Sequence, residues 1–502
     1  MSMPAEAMSP GVALDTLLPD VNGLPQVSVT GIASDSRLVG EGFLFLATGG
    51  ASTHGMAFAD QVVERGARAI VFDPAGVDTE SLALAIPAIP VPGLGQRQGD
   101  IANRFYGEPS SDLDVYAVTG TNGKTTVAWL LSQCQAKLGI RAGYIGTLGA
   151  GIGELDSEPG LTTPGAIELH GKLAGFRDSG ATAAAIEVSS HALDQRRIDG
   201  VRVRAALFTN LSRDHLDYHG SMQAYFEAKA KLFLECEPQA KIINLDTDYG
   251  TELASRCGDN VVTVSTRFDR VANGRPYVFV RSVVATETGS LVRVDSSWGS
   301  AEFELGMPGD FNVANAVLVM ATLLFEGAEL DDVVRALSEA TAPPGRLEAI
   351  AGPGPRVYVD FAHTPDALEF VLRALKPHVR GRLCIVFGAG GDRDAGKRPL
   401  MGRVAERLAD TVVLTSDNPR NEDPLAIIDG IRDGMLNGST ATVIEDRAAA
   451  IGWAIANAKA GDTVLIAGKG HEQYQEAGGE KAPFSDVAIA AECLHAGSGE
   501  RS

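Results

Sequence analysis

The chain has 502 residues, more than a single hydrophobic core organises, so two to four domains are expected. Its formal charge of -21, with no long basic run, argues against broad electrostatic binding of nucleic acid or of an anionic membrane. An anionic substrate must instead be met by a few placed cations and backbone amides.

The opening "MSMPAEAMSPGVALDTLLPD" has neither the basic start nor the apolar core of a secretory leader, and no uncharged apolar run reaches the ~20 residues that span a bilayer. A cytoplasmic protein is expected. Cys134, Cys236, Cys257, Cys384 and Cys493 are scattered without metal-ligand or CxxC spacing, which reads as free thiols. Residues 1–112 hold short apolar runs such as "GFLFLA" and "ARAIVF" between turn-rich stretches, the pattern of a small α/β domain.

From "DVYAVTG" onward, apolar strands alternate with longer helical segments, which predicts a parallel sheet covered on both faces across residues 113–341. Its first strand runs into "GTNGKTT". Gly120 and Gly123 let backbone amides approach phosphates, a helix follows, and Lys124 and Thr125 stand where a phosphate loop places its lysine and its magnesium-binding hydroxyl. The spacing G-x-x-G-K-T is shorter than the usual G-x-x-x-x-G-K-[ST].

Two later strands end in "IEVSSHALDQRR" and "FTNLSRDHLDYHG". These put Glu187 at one strand end, and Asp214, His215, Asp217 and His219 after another, where carboxylate and imidazole can hold a cation beside a nucleotide. Either segment alone is equally compatible with a solvated loop. In "MQAYFEAKAKLFLE", Tyr225, Lys229, Leu232 and Phe233 fall at i, i+4, i+7 and i+8, so Lys229 lies on the apolar stripe of the predicted helix and Lys231 off it. Such a lysine either snorkels to the surface or sits buried at considerable cost.

Two prolines and a glycine in "ATAPPGRLEAI" mark a boundary near residue 342. Residues 342–502 then read as strands ending in polar, Gly-rich turns: "RVYVDFAH", "RLCIVFGAGG", "TVVLTSDNP" and "DTVLIAGKG". Ligands gather at such carboxyl ends of open α/β sheets. One of these turns, "TSDNPRNEDP", groups Asp417, Asn418 and Arg420 around a proline; by itself it also suits a plain polar turn with a surface ion pair.

"GTNGKTT" resembles the ATP loop of the Mur ligases and of the related folylpolyglutamate synthetases, which form amide bonds through acyl phosphates. The motifs "LTTPG", "EVSSHALDQRR", "DFNVANAV", "PPGRLE", "DFAHTPDAL", "GAGGDRDAGKRPLM" and "AGKGHE" follow in the family's order and extend the resemblance over nearly the whole chain. It implies a three-domain α/β architecture: a UDP-binding N-terminal α/β domain (1–112), a central P-loop ATPase domain with a mostly parallel sheet (113–341), and a C-terminal Rossmann-like domain that binds the incoming amino acid (342–502).

The resemblance also implies an activity: ATP-dependent addition of the third residue of the peptidoglycan stem peptide to UDP-N-acetylmuramoyl-L-alanyl-D-glutamate, with magnesium, by a monomer with only small-molecule partners. Gly120, Thr121, Asn122, Gly123, Lys124, Thr125 and Thr126 would hold ATP, with Asn312, Asn315, Arg346 and Asp360 contacting it across the domain junction. Magnesium would fall to Thr125, Glu187, His215 and Lys229, the last as an N6-carboxylysine, since family members carry a lysine in an "AKxxLF" helix that reacts with carbon dioxide. Ser36, Thr162, Thr163, Ser189, Gln195 and Arg197 would bind the nucleotide-sugar peptide. Where many relatives read Asp-Gly-His this chain has Thr53, His54 and Gly55, which leaves that loop's contacts open.

In this family "DNPR" marks the branch that adds meso-diaminopimelate, and the physical reason is plain. Diaminopimelate carries one more carboxylate than lysine, which a guanidinium takes through two parallel hydrogen bonds. Arg420 would take it, with Arg393 and amides near Gly468 as further donors, while Asp417 and Glu472 accept from the adjoining ammonium and Asn418 belongs to the same site. The alternatives are a lysine-adding relative, a folylpolyglutamate synthetase, which should lack "TTPG" and the long first domain, and a non-catalytic ATP-gated binding module.

Overall fold

The computed structural model describes residues 11–50, 53–79, 82–156, 160–267 and 274–499. The opening segment as far as Pro10, and Ala51 and Ser52 next to Thr53, lie outside them. The chain divides into two compact units: Met1–Lys124 with Gly139–Lys241 and Ser255–Asn260, and Thr125–Leu138 with Ile242–Ala254 and Val261–Ser502.

The first unit begins with a four-stranded parallel sheet, β1 (Gly31–Ala33), β2 (Phe43–Ala47), β3 (Ala69–Phe72) and β4 (Ala88–Pro90), in sequence order. Both faces are apolar: Leu44 and Leu46 point into one core, and Phe45 and Ala47 into the other. That is why "FLFLA" is a continuous hydrophobic run rather than an alternating one.

A second sheet of this unit is built on β5 (Asp114–Thr119). Helix α1 (Lys124–Lys137), which belongs to the second unit from Thr125 onward, follows the phosphate loop in sequence; β6 (Ala142–Gly146) and β7 (Gly149–Gly151) form a hairpin, and α2 (Ala166–Asp178) leads to β8 (Ala183–Glu187). Then come α3 (Ser190–Asp194), β9 (Val203–Phe208), α4 (Leu216–His219) and α5 (Met222–Leu234). The strand order β9-β5-β8-β6-β7 is parallel as far as β6, which gathers the ends of β5, β8 and β9 on one edge.

In the second unit, β10 (Val261–Ser265) pairs with β11 (Tyr277–Ala285), and β11, β12 (Ser290–Ser296) and β13 (Gly299–Leu305) form an antiparallel meander before helices α6 (Asp310–Phe325) and α7 (Leu330–Ser338). The mostly parallel expectation therefore needs this antiparallel addition. Its one-sided alternation, as in "SLVRVDS", leaves one face solvated.

Beyond it lies a six-stranded sheet: β14 (Glu348–Ile350), β15 (Arg356–Asp360), β16 (Leu383–Phe387), β17 (Thr411–Leu414), β18 (Thr442–Val443) and β19 (Thr463–Ala467), in the order β14-β15-β19-β16-β17-β18. Only β14 is antiparallel. Helices α8 (Pro365–Leu375), α9 (Lys397–Leu408) and α10 (Pro424–Arg432) cover one face; α11 (Arg447–Asn457) and α12 (Asp486–Gly499) cover the other. The chain passes from β15 over to β16 and only later returns to lay β19 between them, a topological switch that opens a crevice at the carboxyl ends of these strands. A small hairpin, β20 (Tyr474–Ala477) with β21 (Glu480–Pro483), follows β19.

Candidate active site

In the first unit the loop after β5 is braced from the end of β9. Asn210 accepts from the Thr121 amide through its carbonyl (2.9 Å) and from the Asn122 amide through Oδ1 (3.0 Å), and Thr209 Oγ1 donates to Asn122 O (2.6 Å). Gly120 has φ +149°, and a Cβ there would collide with Thr209 Oγ1, so only glycine fits this approach. Thr209 and Asn210 were not foreseen, because their role depends on β9 lying beside β5. Lys124 Nζ donates to the carbonyls of Gly120 (3.0 Å) and Thr121 (2.9 Å), folded over the loop it serves.

Lys229 does not snorkel. Its side chain is 1% exposed, with Nζ donating to Gly120 O at 2.8 Å and standing 4.7 Å from the centre of the Tyr225 ring. Burial, followed by the charge of Lys124, pushes its pKa well below the ordinary lysine range. The amine is thereby held toward its neutral, nucleophilic form.

Glu187, at the end of β8, is buried and accepts from Tyr144 OH (2.5 Å), the Thr147 amide (2.9 Å) and Thr147 Oγ1 (3.2 Å). Those donors come from β6 and its hairpin turn. Around it the segments expected to bind substrate do meet. Thr147 Oγ1 and Thr162 Oγ1 lie within hydrogen-bond distance (3.2 Å), Thr163 Oγ1 donates to Glu187 O (2.9 Å), and the Ser189 amide donates to Thr163 Oγ1 (3.0 Å). Ser189 caps α3, Arg197 reaches Thr163 O (2.8 Å), and Arg197 also clasps Gln195 Oε1. Ser36 stays apart, buried at the start of the single turn Ser36–Leu38 that Asp35 caps. His54 caps the next short turn through Nδ1, on the amide of Met56.

His215 has φ +51° and packs edge-on against His191 (4.8 Å) and Tyr225 (6.0 Å), with Asp214 at 3.5 Å. Among the described residues no three His, Cys, Asp or Glu side chains gather as a metal cage. The donor chemistry nonetheless fits magnesium, which takes one or two protein oxygens and leaves its other positions to phosphates and water. Glu187 offers such oxygens, and Lys229 would offer one only after conversion from an amine to a carbamate.

In the second unit, Asn312 and Asn315 are buried on the first turns of α6, with Asn312 Nδ2 on Pro308 O (2.9 Å) and Asn315 Nδ2 directed at Asn312 Oδ1 (3.5 Å). Asp360, closing β15, accepts from the amides of Leu347 and Ala362 (both 2.8 Å), and burial raises its pKa against the pull of Arg346. The Arg346 guanidinium lies over Phe361 at 5.0 Å, with a buried Nε that has no hydrogen-bond partner among the described residues, and His471 flanks the same ring at 5.4 Å.

The expected amino-acid site is drawn together at the ends of β16, β17 and β19. Glu472 accepts from Asn418 Nδ2 (2.9 Å) and from Lys469 Nζ (2.9 Å), which also donates to Asn418 Oδ1 (2.9 Å). Gly468 has φ +119°, and a Cβ on it would strike Asp417 Oδ2. A Cβ on Gly390 would stand 3.0 Å from Arg420 Nη1 and 3.8 Å from Arg393 Cγ, so both arginines border that glycine.

Arg420 has φ +52°, donates to Gly391 O (2.7 Å) and faces Glu476 at 3.3 Å, while its amide and carbonyl join the hairpin at Glu476 and Gly478. The guanidinium is thus already placed, rather than left facing an empty space. Lys469 and Glu476 were missed, although Lys469 stands inside the "AGKGHE" motif.

Comparison with known proteins identifies the family of the chain as a whole. The chain matches the Mur ligase family, catalytic domain, over residues 28–106, the Mur ligase middle domain over 118–323, and the Mur ligase glutamate ligase domain over 345–470. It is 45% identical over 468 residues to a Pseudomonas putida protein named UDP-N-acetylmuramoyl-L-alanyl-D-glutamate--2,6-diaminopimelate ligase, covering 92% of this chain and 94% of that one. A protein of the same name from Chromobacterium violaceum is 44% identical, with 94% and 95% covered. A solved structure of a ligase of that name superposes with a TM-score of 0.72 at 33% identity, covering 98% of this chain and 100% of that one. The chain belongs to the Mur ligase family.

Proposed function

We propose that this chain is the ATP-dependent ligase that joins meso-diaminopimelate to the D-glutamyl γ-carboxylate of UDP-N-acetylmuramoyl-L-alanyl-D-glutamate, forming ADP and phosphate in peptidoglycan precursor synthesis. The observation that carries the reading is the preplaced Arg420 beside Arg393, in a chain whose full-length relatives are named for 2,6-diaminopimelate. Among the described residues no helix is long and apolar enough to cross a membrane. A cytoplasmic monomer handling only small molecules is the natural setting for such a reaction.

The γ-carboxylate of the dipeptide attacks the γ-phosphate of ATP. Lys124, at the mouth of the phosphate loop, offsets charge on the transferring phosphoryl group, and the loop amides orient it. Thr162, Thr163, Ser189, Gln195 and Arg197 would hold the nucleotide-sugar peptide so that its carboxylate meets that phosphate. Asn312, Asn315, Arg346 and Asp360 would contact the nucleotide as well. Magnesium, held by Thr125, Glu187, His215 and carbamylated Lys229, would neutralise phosphate charge. Lys229 suits that role because its depressed pKa favours the free amine, whose lone pair attacks carbon dioxide and releases a proton to leave a carbamate anion.

The acyl phosphate is then attacked by the diaminopimelate amine, and phosphate leaves as the amide forms. Arg420 and Arg393 would take the distal carboxylate, with Asp417 and Glu472 receiving the ammonium next to it and Gly468 giving the close approach. Phosphate release with ATP, magnesium and the dipeptide nucleotide tests the reading: release with meso-diaminopimelate and none with L-lysine is expected. Equal release with lysine would overturn the assigned acceptor, and no release with either would overturn the ligase.

A further inference from the structure

Behind the amino-acid site lies an ion pair with no part in the steps above. Arg447 opens α11 and Asp486 opens α12; both side chains are 0% exposed and meet in a bidentate pair, Nε to Oδ1 and Nη2 to Oδ2, each at 2.7 Å. The guanidinium has two further acceptors: Nη2 donates to Ala467 O (2.9 Å) and Nη1 to Ser416 O (3.3 Å). Ala467 is the last residue of β19, and Ser416 stands two residues past the end of β17. These strands are not neighbours, because β16 runs between them. One side chain therefore spans a strand to tie the loop beginning at Asp417 to the loop beginning at Gly468.

A buried pair is weak support for stability, since well-packed apolar residues often replace one at no loss. What apolar residues cannot supply is the two carbonyl contacts, and lysine lacks the planar fork that makes four such bonds at once. We propose that Arg447, oriented by Asp486, is a positioning residue for amino-acid selection, holding the Asp417–Arg420 and Gly468–Glu472 loops at the mutual spacing that recognises the ammonium and carboxylate of the distal centre. The local packing agrees: a Cβ on Gly468 would lie 3.9 Å from Arg447 Nη2 on one side and strike Asp417 Oδ2 on the other. Arg447 also feels the charges of Asp417 and Glu472, after that of Asp486. It touches no substrate and acts through the loops alone.

This inference rests on the amino-acid site proposed above, so the test includes one readout that needs no substrate. The variants are Arg447→Lys, and Arg447→Met combined with Asp486→Leu, which removes both charges and leaves neither buried alone. In the absence of ligands, amide hydrogen exchange should quicken at residues 416–420 and 468–472 in both. In steady state, KM for meso-diaminopimelate should rise about tenfold or more in the double variant and less in Arg447→Lys, while kcat and the KM values for ATP and the dipeptide nucleotide stay within about threefold. Unchanged exchange in the two loops would overturn the proposal, as would a loss confined to kcat. Failure of the wild type to use diaminopimelate would overturn the functional reading instead, with the exchange experiment still deciding whether Arg447 ties the loops.

Discussion

Lys229 and Lys469 are both removed from solvent, at 1% and 0% exposure, yet their surroundings differ in kind. Lys229 meets a backbone carbonyl and the face of Tyr225, with Lys124 sharing the same Gly120 carbonyl. Lys469 meets the Glu472 carboxylate and the Asn418 amide oxygen. An ammonium buried without an anion is driven toward the neutral amine, whereas one buried against an anion holds that anion in place. The first environment suits a group that must react, and the second suits one that must hold still.

The difference can be broken from either side. Lys229→Ala has the largest expected effect, a loss of about 10²-fold or more in kcat at saturating concentrations of all three substrates, followed by phosphate release. Arg420→Ala comes next: kcat/KM for meso-diaminopimelate should fall by about 10²- to 10³-fold while L-lysine still gives no release, because the lost partner is the distal carboxylate. Lys469→Met should raise KM for diaminopimelate about tenfold with a smaller change in kcat, as Asn418 and Glu472 lose their common donor. A loss confined to kcat would instead make Lys469 the reactive lysine and reverse the comparison.

The smallest effect concerns stability. Lys229→Met should stabilise the carbon dioxide-free protein by roughly 1–3 kcal/mol at neutral pH, since it removes a group that must shed its proton or bury its charge on folding. The folded-state pKa of Lys229 lies below the unfolded value of 10.5, so the unfolded chain binds more protons between the two. Wild-type stability should therefore rise with pH through that window, and the variant's advantage should shrink. Urea unfolding of both proteins across the range measures it.

The parts of this site that could be read in the sequence are those whose signal is local. The phosphate loop needed only strand, glycines and helix in order; Lys229 declared itself by falling on an apolar stripe; Arg420 stood in a strand-end turn. What escaped depends on neighbours far along the chain. Tyr144 and Thr147 grip Glu187 from a hairpin some forty residues earlier, and Asn210 braces a loop 88 residues before it. The Tyr474–Pro483 hairpin that receives Arg420 is polar and largely exposed, so it lacks the hydrophobic alternation that marks a half-buried strand. Arg447 and Asp486 begin two helices on one face of the sheet, and nothing in their own segments pairs them.

Carbon-13 NMR of the protein equilibrated with labelled bicarbonate tests the division of labour most directly. The expected result is a carbamate resonance in the wild type and in Lys469→Met that is absent from Lys229→Met. A resonance that survives in Lys229→Met, or that is lost in Lys469→Met alone, would contradict it.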